Sequence, residues 1–220
     1  ELAHGSWPVR GLRLIDREFR ERFRWGDPTY VYYRGEGSTV ELKATVGLPL
    51  EDDPRVVARV MEILQAWLPE SEPYERVLEL FAGVGVYTSH LYRVAERVDA
   101  VTTPAHALDD LHANFQSVPT DRVQRAYASI SRGLGYAFRK KDRYDLVCAW
   151  VPMRGAIGLW RTLKDVDSPR LITSHAALEK TAADLRRILE MGYRCEALHA
   201  FAAEPHRGRV SLLARWGRSD

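Results

Sequence analysis

The run Glu79-Leu-Phe-Ala-Gly83-Val-Gly85 carries the densest chemical signal in the chain. Two glycines one residue apart let a backbone pass close to a ligand. A helix starting after them would add N–H groups that favour a polar or anionic group. The third glycine of a dinucleotide fingerprint is absent, because Thr88 stands three residues after Gly85. An acid four residues before the first glycine is the usual pattern of S-adenosylmethionine (SAM) sites. There Glu79 would orient the loop or meet the methionine end of the ligand. The same run also suits a tight strand-to-helix turn that binds nothing. Counting on from the loop, Thr102 falls where an acid commonly grips ribose hydroxyls, and threonine cannot give a carboxylate's paired acceptance. Glu79, Phe81, Gly83, Gly85 and Thr102 are therefore the expected cofactor contacts.

Few other side chains are placed for reaction. His175 ends an apolar strand-like run, on the side where such sheets take ligands, and is a weak candidate general base for methylation of an N or O atom. It is equally a polar residue at a helix start. His206, with Arg207 and Arg209, could face the same cleft or lie on a solvated hairpin turn. Cys148 and Cys195 sit far apart in apolar strand-like stretches, which predicts buried thiols rather than a disulfide framework or a metal site. Asp184 and Asp145 are expected at the surface or at strand ends.

Basic residues cluster from Arg122 to Arg143, with Tyr127, Tyr136 and Phe138 between them. Arginine and lysine meet phosphates, and aromatic rings stack on single-stranded bases. Arg132, Arg139, Lys140, Lys141, Arg207 and Arg209 are the candidate nucleic-acid contacts. A solvated charged face is the alternative. The formal net charge of +2 supplies no global field toward nucleic acid, so a basic surface must be local.

The elements that must position these residues follow from pattern. Val9 to Leu14, Thr29 to Tyr33 and Thr39 to Val46 read as strands, and the charged Arg17 to Arg24 as a short helix. Asp53-Pro54 is a helix start. From Arg76 the chain alternates strand and helix: Val77 to Phe81, Val98 to Thr102, Val123 to Tyr127, Tyr144 to Trp150 and Leu171 to Ser174 are strands. Helices are expected at Val86 to Val94, Pro104 to Phe115 and Leu178 to Met191, the last capped by Gly192. Arg194 to Phe201 and Arg209 to Trp216 read as an antiparallel pair. The alternation predicts a mostly parallel sheet with helices on both faces. At 220 residues the chain can bury a core without disulfides, and no stretch is long and apolar enough to span a membrane.

Val77-Leu-Glu-Leu-Phe-Ala-Gly-Val-Gly85 resembles the first motif of the RNA 5-methyluridine methyltransferases. Tyr144-Asp-Leu-Val147 with Pro152-Met-Arg154, Ile172-Thr-Ser-His175, Ala183 to Tyr193 and Pro205-His206 resemble later stretches of that family in the same order, together covering about residues 53 to 216. The resemblance implies a class I SAM-dependent methyltransferase (Rossmann-like) fold, with SAM as cofactor and RNA as partner. It does not reach the family's separate N-terminal RNA-binding domain. The family methylates uracil C5 by adding a cysteine thiolate to C6, with a glutamate later removing the C5 proton. His175 stands at the cysteine's position, and Pro205-His-Arg-Gly-Arg-Val-Ser211 holds no acid. The expected organisation is a small β-rich extension over residues 1–52 and a methyltransferase-like Rossmann domain over residues 53–220, located in the cytoplasm. Two uses of the fold compete. One is a non-catalytic module for an RNA or protein partner. The other is a SAM-dependent N- or O-methyltransferase that needs no cysteine. Neither calls for a metal.

Overall fold

The computed structural model describes the backbone of residues 11–15, 21–26, 29–35, 38–43, 54–103, 105–152, 156, 159–175, 178–204 and 209–218. Two antiparallel hairpins come first: β1 (Gly11–Ile15) with β2 (Glu21–Gly26), then β3 (Thr29–Gly35) with β4 (Ser38–Lys43). β2 corrects the helix expected over Arg17 to Arg24. Phe23 and Trp25 alternate with Arg22 and Arg24, a period of two, and the segment pairs with Leu12 to Leu14. Helix α1 (Pro54–Trp67) packs against β3, and Leu42 of β4 is buried in the same apolar cluster. Val57, Val60, Met61 and Leu64 line the buried face of α1 at helical spacing. Each such side chain contributes about 1.5–3 kcal/mol on burial.

The remaining elements alternate. They are β5 (Tyr74–Leu80), α2 (Thr88–Val94), β6 (Ala95–Val101), α3 (Ala105–Asn114), β7 (Val123–Tyr127), α4 (Ile130–Lys140), β8 (Leu146–Val151), α5 (Leu159–Leu163), β9 (Arg170–His175), α6 (Leu178–Glu190), β10 (Tyr193–Glu204) and β11 (Arg209–Arg218). The sheet order is β7-β6-β5-β8-β9-β11-β10. Neighbours from β7 to β9 run parallel, and β11 is antiparallel to both β9 and β10. The expected mostly parallel sheet with a closing hairpin is therefore observed. Strand order reverses between β5 and β8, so the segments leaving those strands flank the crevice where open α/β sheets bind ligands.

Two apolar layers cover the sheet. One packs α1 and α2 on residues such as Val77, Trp150, Ile172 and Leu213. The other packs α4, α5 and α6 on Leu78, Val147, Leu171 and Ala214. The strands between are buried on both faces, which is why β8 reads as a continuous apolar run. Inside β6, Asp99 is buried and accepts hydrogen bonds from Arg76 (2.7 Å), the Tyr144 hydroxyl (2.8 Å) and Arg97 (3.2 Å). Arg76 also reaches Asp142 at 2.8 Å, so the start of β5, the segment leading into β8 and the interior of β6 share one charged network. Among the described residues no helix is long and apolar enough to cross a membrane.

Candidate functional site

The turn after β5 crosses the left-handed region three times: Phe81 has φ 63°, Gly83 φ 58° and Gly85 φ 97°. Such angles cost an ordinary L-residue about 1–2 kcal/mol, and at Phe81 the fold bears that cost. The turn is held from several sides. Ala82 N–H donates to Val101 O (3.0 Å), and Gly85 N–H to Ala82 O (2.9 Å). Side chains cap three carbonyls of the turn: Thr102 Oγ1 donates to Gly83 O (3.1 Å), Asn114 Nδ2 to Val84 O (2.9 Å) and Ser89 Oγ to Val86 O (2.7 Å).

The two glycines stand in different surroundings. A Cβ on Gly83 would meet nothing within 4 Å, so open space lies beside that residue. A Cβ on Gly85 would lie 2.3 Å from the Phe115 ring and 2.8 Å from Leu111 Cδ1. Gly85 is thus demanded by the close approach of α3, whatever the loop binds.

Glu79 points inward. It is wholly buried, and its two oxygens accept from Thr88 Oγ1 (2.6 Å) and Trp150 Nε1 (2.7 Å). Tyr87 packs on Trp150 with ring centroids 4.3 Å apart. Burial pushes the Glu79 carboxyl up to about 7, against the pull of its two hydrogen bonds. Of the two roles expected for Glu79, this geometry matches orientation of the loop: it ties β5, α2 and β8 together at the switch point. Thr102 is also wholly buried, and its hydroxyl is taken by Gly83 O. The residues therefore fit a SAM group only in part. The backbone is open at Gly83, but the side chains expected at the amino-acid and ribose ends are engaged with the protein.

His175 ends β9 at the same edge of the sheet. It is cross-strand from Val151 and opposite Leu212. Its ring turns into the α5–α6 layer and is 2% exposed, with the Trp160 ring centroid 6.2 Å away. Nδ1 lies 3.9 Å from Asp184 Oδ2, too far for a hydrogen bond. Asp184 Oδ2 instead accepts from Ala156 N–H at 3.4 Å. Burial holds the imidazole down to about 4, against the pull of the Asp184 charge, so the ring is neutral at pH 7. Asp184 corrects an expectation. It is 1% exposed rather than at the surface, because it lies on the buried stripe of α6 and pins the segment after β8. Asp145 accepts from Arg76 N–H at the start of its strand, as expected.

The two cysteines part company. Cys148 is buried, and its thiol is pushed well above its ordinary value by burial and by the Glu79 carboxylate. Cys195 is exposed, correcting the expected burial, since it lies in the outermost strand beside an irregularity of the β10–β11 ladder.

The described members of the basic run lie apart. Arg132 is exposed in the first turn of α4, at the crevice edge, while Lys141 follows the last turn with φ 50°. Nine residues of helix separate them by about 13 Å. Beside Lys141 a cavity of about 520 Å³ opens at the far end of the sheet, and it includes Asp142, Arg143, Asp165 and Asp167. Arg143 pairs there with Asp167 at 2.8 Å. Arg122 is structural, donating to the carbonyls of Tyr92 (2.6 Å) and Ala95 (3.0 Å). Arg139 and Lys140 lie in the last turn of α4 and Arg209 opens β11, their side chains being outside the described residues, as are Arg207, His206 and Arg154. Among the described residues no group of three or more His, Cys, Asp or Glu is placed to hold a metal ion.

Sheet order, glycine turn and closing hairpin together define the class I SAM-dependent methyltransferase fold. Within it, the chain is similar to the 23S rRNA (uracil(1939)-C(5))-methyltransferase RlmD. It is 25% identical to the Pseudomonas savastanoi pv. phaseolicola protein over 182 residues, covering 83% of this chain and 40% of that one. It is 25% identical to the Cronobacter sakazakii protein over 229 residues, covering 96% and 52%. The chain thus spans about half the length of these curated relatives. Among solved structures, the tRNA (uracil-54, C5)-methyltransferase of Pyrococcus abyssi, in complex with S-adenosyl-L-homocysteine, superposes with a TM-score of 0.67 at 15% identity. That match covers 94% of this chain and 50% of the other. A SAM-dependent methyltransferase from Agrobacterium tumefaciens superposes at 0.60 with 16% identity, covering 96% and 77%. No protein-family profile matches the chain.

Proposed function

We propose that this chain is an RNA-binding module of methyltransferase fold that does not methylate uracil C5. The observation that carries this reading is the engagement of Glu79 and of the Thr102 hydroxyl within the protein, together with a threonine at 102 where the fold ordinarily uses an acid to grip ribose. His175 adds to it. A buried neutral imidazole stands at the position matched to the family's cysteine, and it is a poor nucleophile toward C6. Cys148 does not substitute, because a thiol held protonated in the core is inert. RNA as partner is supported by the RNA-modifying relatives and by exposed Arg132 at the crevice edge.

A second reading is favoured by one feature, the open space beside Gly83, which leaves room for a cofactor and for N- or O-methylation by positioning alone. Tritium-labelled SAM incubated with the protein and a uridine-containing RNA separates the two. The module reading expects RNA to be retained in a gel-shift assay with no label transferred. Label in the RNA overturns it, and the position of the label, on C5 or on a heteroatom, then identifies the chemistry.

A further inference from the structure

The closing hairpin has a face that the crevice does not use. Paired residues share a face of a sheet. Arg215 is therefore on the same face as Ile172, and Arg170 on that of Gly217, the face packed by α1. A row of rings crosses this face. Trp67, at the end of α1, lies 5.5 Å from His199, and His199 stacks on Phe201 at 6.4 Å with planes 18° apart. The Arg215 guanidinium sits over the Trp67 ring at 5.4 Å, and that of Arg170 over Tyr74 at 5.6 Å. The four rings are half-buried and Arg170 is exposed, so parts of the rings and the guanidinium groups are both within reach of a ligand. Glu196 offsets part of the charge by pairing with Arg215 at 3.1 Å. The row also has a direction. Tyr74 and Arg170 begin their strands at the far end of the sheet. Phe201 lies opposite Ser211, next to the Leu212–His175 pair at the crevice edge.

We propose that this face docks single-stranded RNA, with bases stacking on the exposed parts of His199 and Phe201, beside the Trp67 ring that Arg215 covers, and phosphates meeting Arg170 and Arg215, so that the strand is led toward the crevice. Stacked rings interleaved with arginine suit unpaired bases, because every base has a face to stack while the cations track the backbone. A duplex hides its base faces and would not use the rings. The inference rests on the RNA-binding reading above and adds the surface and the strandedness.

Fluorescence anisotropy with a labelled oligouridylate of roughly a dozen nucleotides tests it. Replacing both Arg170→Gln and Arg215→Gln is expected to reduce the slope of log affinity against log salt by about 1.4, from two phosphate contacts at roughly 0.7 each. His199→Ala is expected to weaken binding about tenfold, and His199→Phe to restore it, since the contact needs a ring rather than an imidazole. Arg170→Gln alone alters only an exposed side chain and keeps the test independent of how the His199 variants fold. Unchanged affinity and salt slope in all variants would overturn this surface while leaving the RNA-binding reading intact. Failure of the unmodified protein to bind the oligonucleotide would overturn both. Equal binding of duplex and single-stranded RNA would overturn the stacking.

Discussion

Glu79→Gln should flatten the pH dependence of stability in one window. Glu79 is wholly buried, and its carboxyl is pushed from 4.5 to about 7. Between those values the native state holds a proton that the unfolded chain has released. The native protein therefore loses stability as pH rises through the window, and the loss is complete above pH 7. A shift of that size corresponds to roughly 3 kcal/mol. His175 acts in the opposite sense. Its pKa is lowered from 6.5 to about 4, so in that range the unfolded chain binds the proton and stability rises with pH. The two contributions largely cancel from pH 4.5 to 6.5, and a single pH–stability curve would hide both. The difference between variant and unmodified protein isolates Glu79. Glutamine keeps the shape and an acceptor for Trp150 Nε1, and its amide can donate to Thr88 Oγ1. Urea unfolding at several pH values from 5 to 8, with the unfolding free energy of Glu79→Gln relative to the unmodified protein as readout, should show the variant gaining about 2.5 kcal/mol across the range. A constant difference would show that Glu79 does not titrate in this window, and the argument from its burial would fail.

Other expectations follow from the same geometry. Gly85→Ala should cost about 2–5 kcal/mol, combining overpacking against Phe115 and Leu111 with a φ of 97°, whereas Gly83→Ala, beside open space, should cost only about 1–2 kcal/mol; urea unfolding distinguishes them. Asp99→Asn removes the charge that Arg76 and Tyr144 share and should destabilise by about 3–5 kcal/mol, read as a lowered thermal midpoint. Thr102→Val should cost about 1 kcal/mol through loss of its bond to Gly83 O, with no effect on any SAM affinity, if the hydroxyl serves the fold rather than a ligand.

Much of the fold was legible because its signals were local. β7 matches its expected span residue for residue, α6 ends at Glu190 just before Gly192 with its φ of 87°, and the closing hairpin pairs as its alternation implied. What escaped depended on partners distant in sequence. α4 carries Gly133 and Gly135 inside a basic run, so its helical signal was weak. Gly133 is there because a Cβ would come within 2.5 Å of Val101, letting the helix lie close on the sheet. α5 is only five residues long, too short for a helical period to show. The loop residues were found from the glycine spacing, but the inward orientation of Glu79 depends on Trp150, 71 positions away, which no local pattern reveals. Asp184 looked like one more charge on an amphipathic helix. Its burial follows from which turn of α6 faces the segment after β8. The aromatic row needed the register of β10 to bring Trp67, His199 and Phe201 together.

Calorimetric titration of S-adenosylhomocysteine into the purified protein, with Gly83→Arg as the loop control, asks whether the loop still takes the cofactor. No heat beyond dilution is expected even at millimolar ligand. Micromolar binding that Gly83→Arg abolishes would contradict this expectation, and would show that the loop still holds the cofactor despite the inward turn of Glu79 and Thr102.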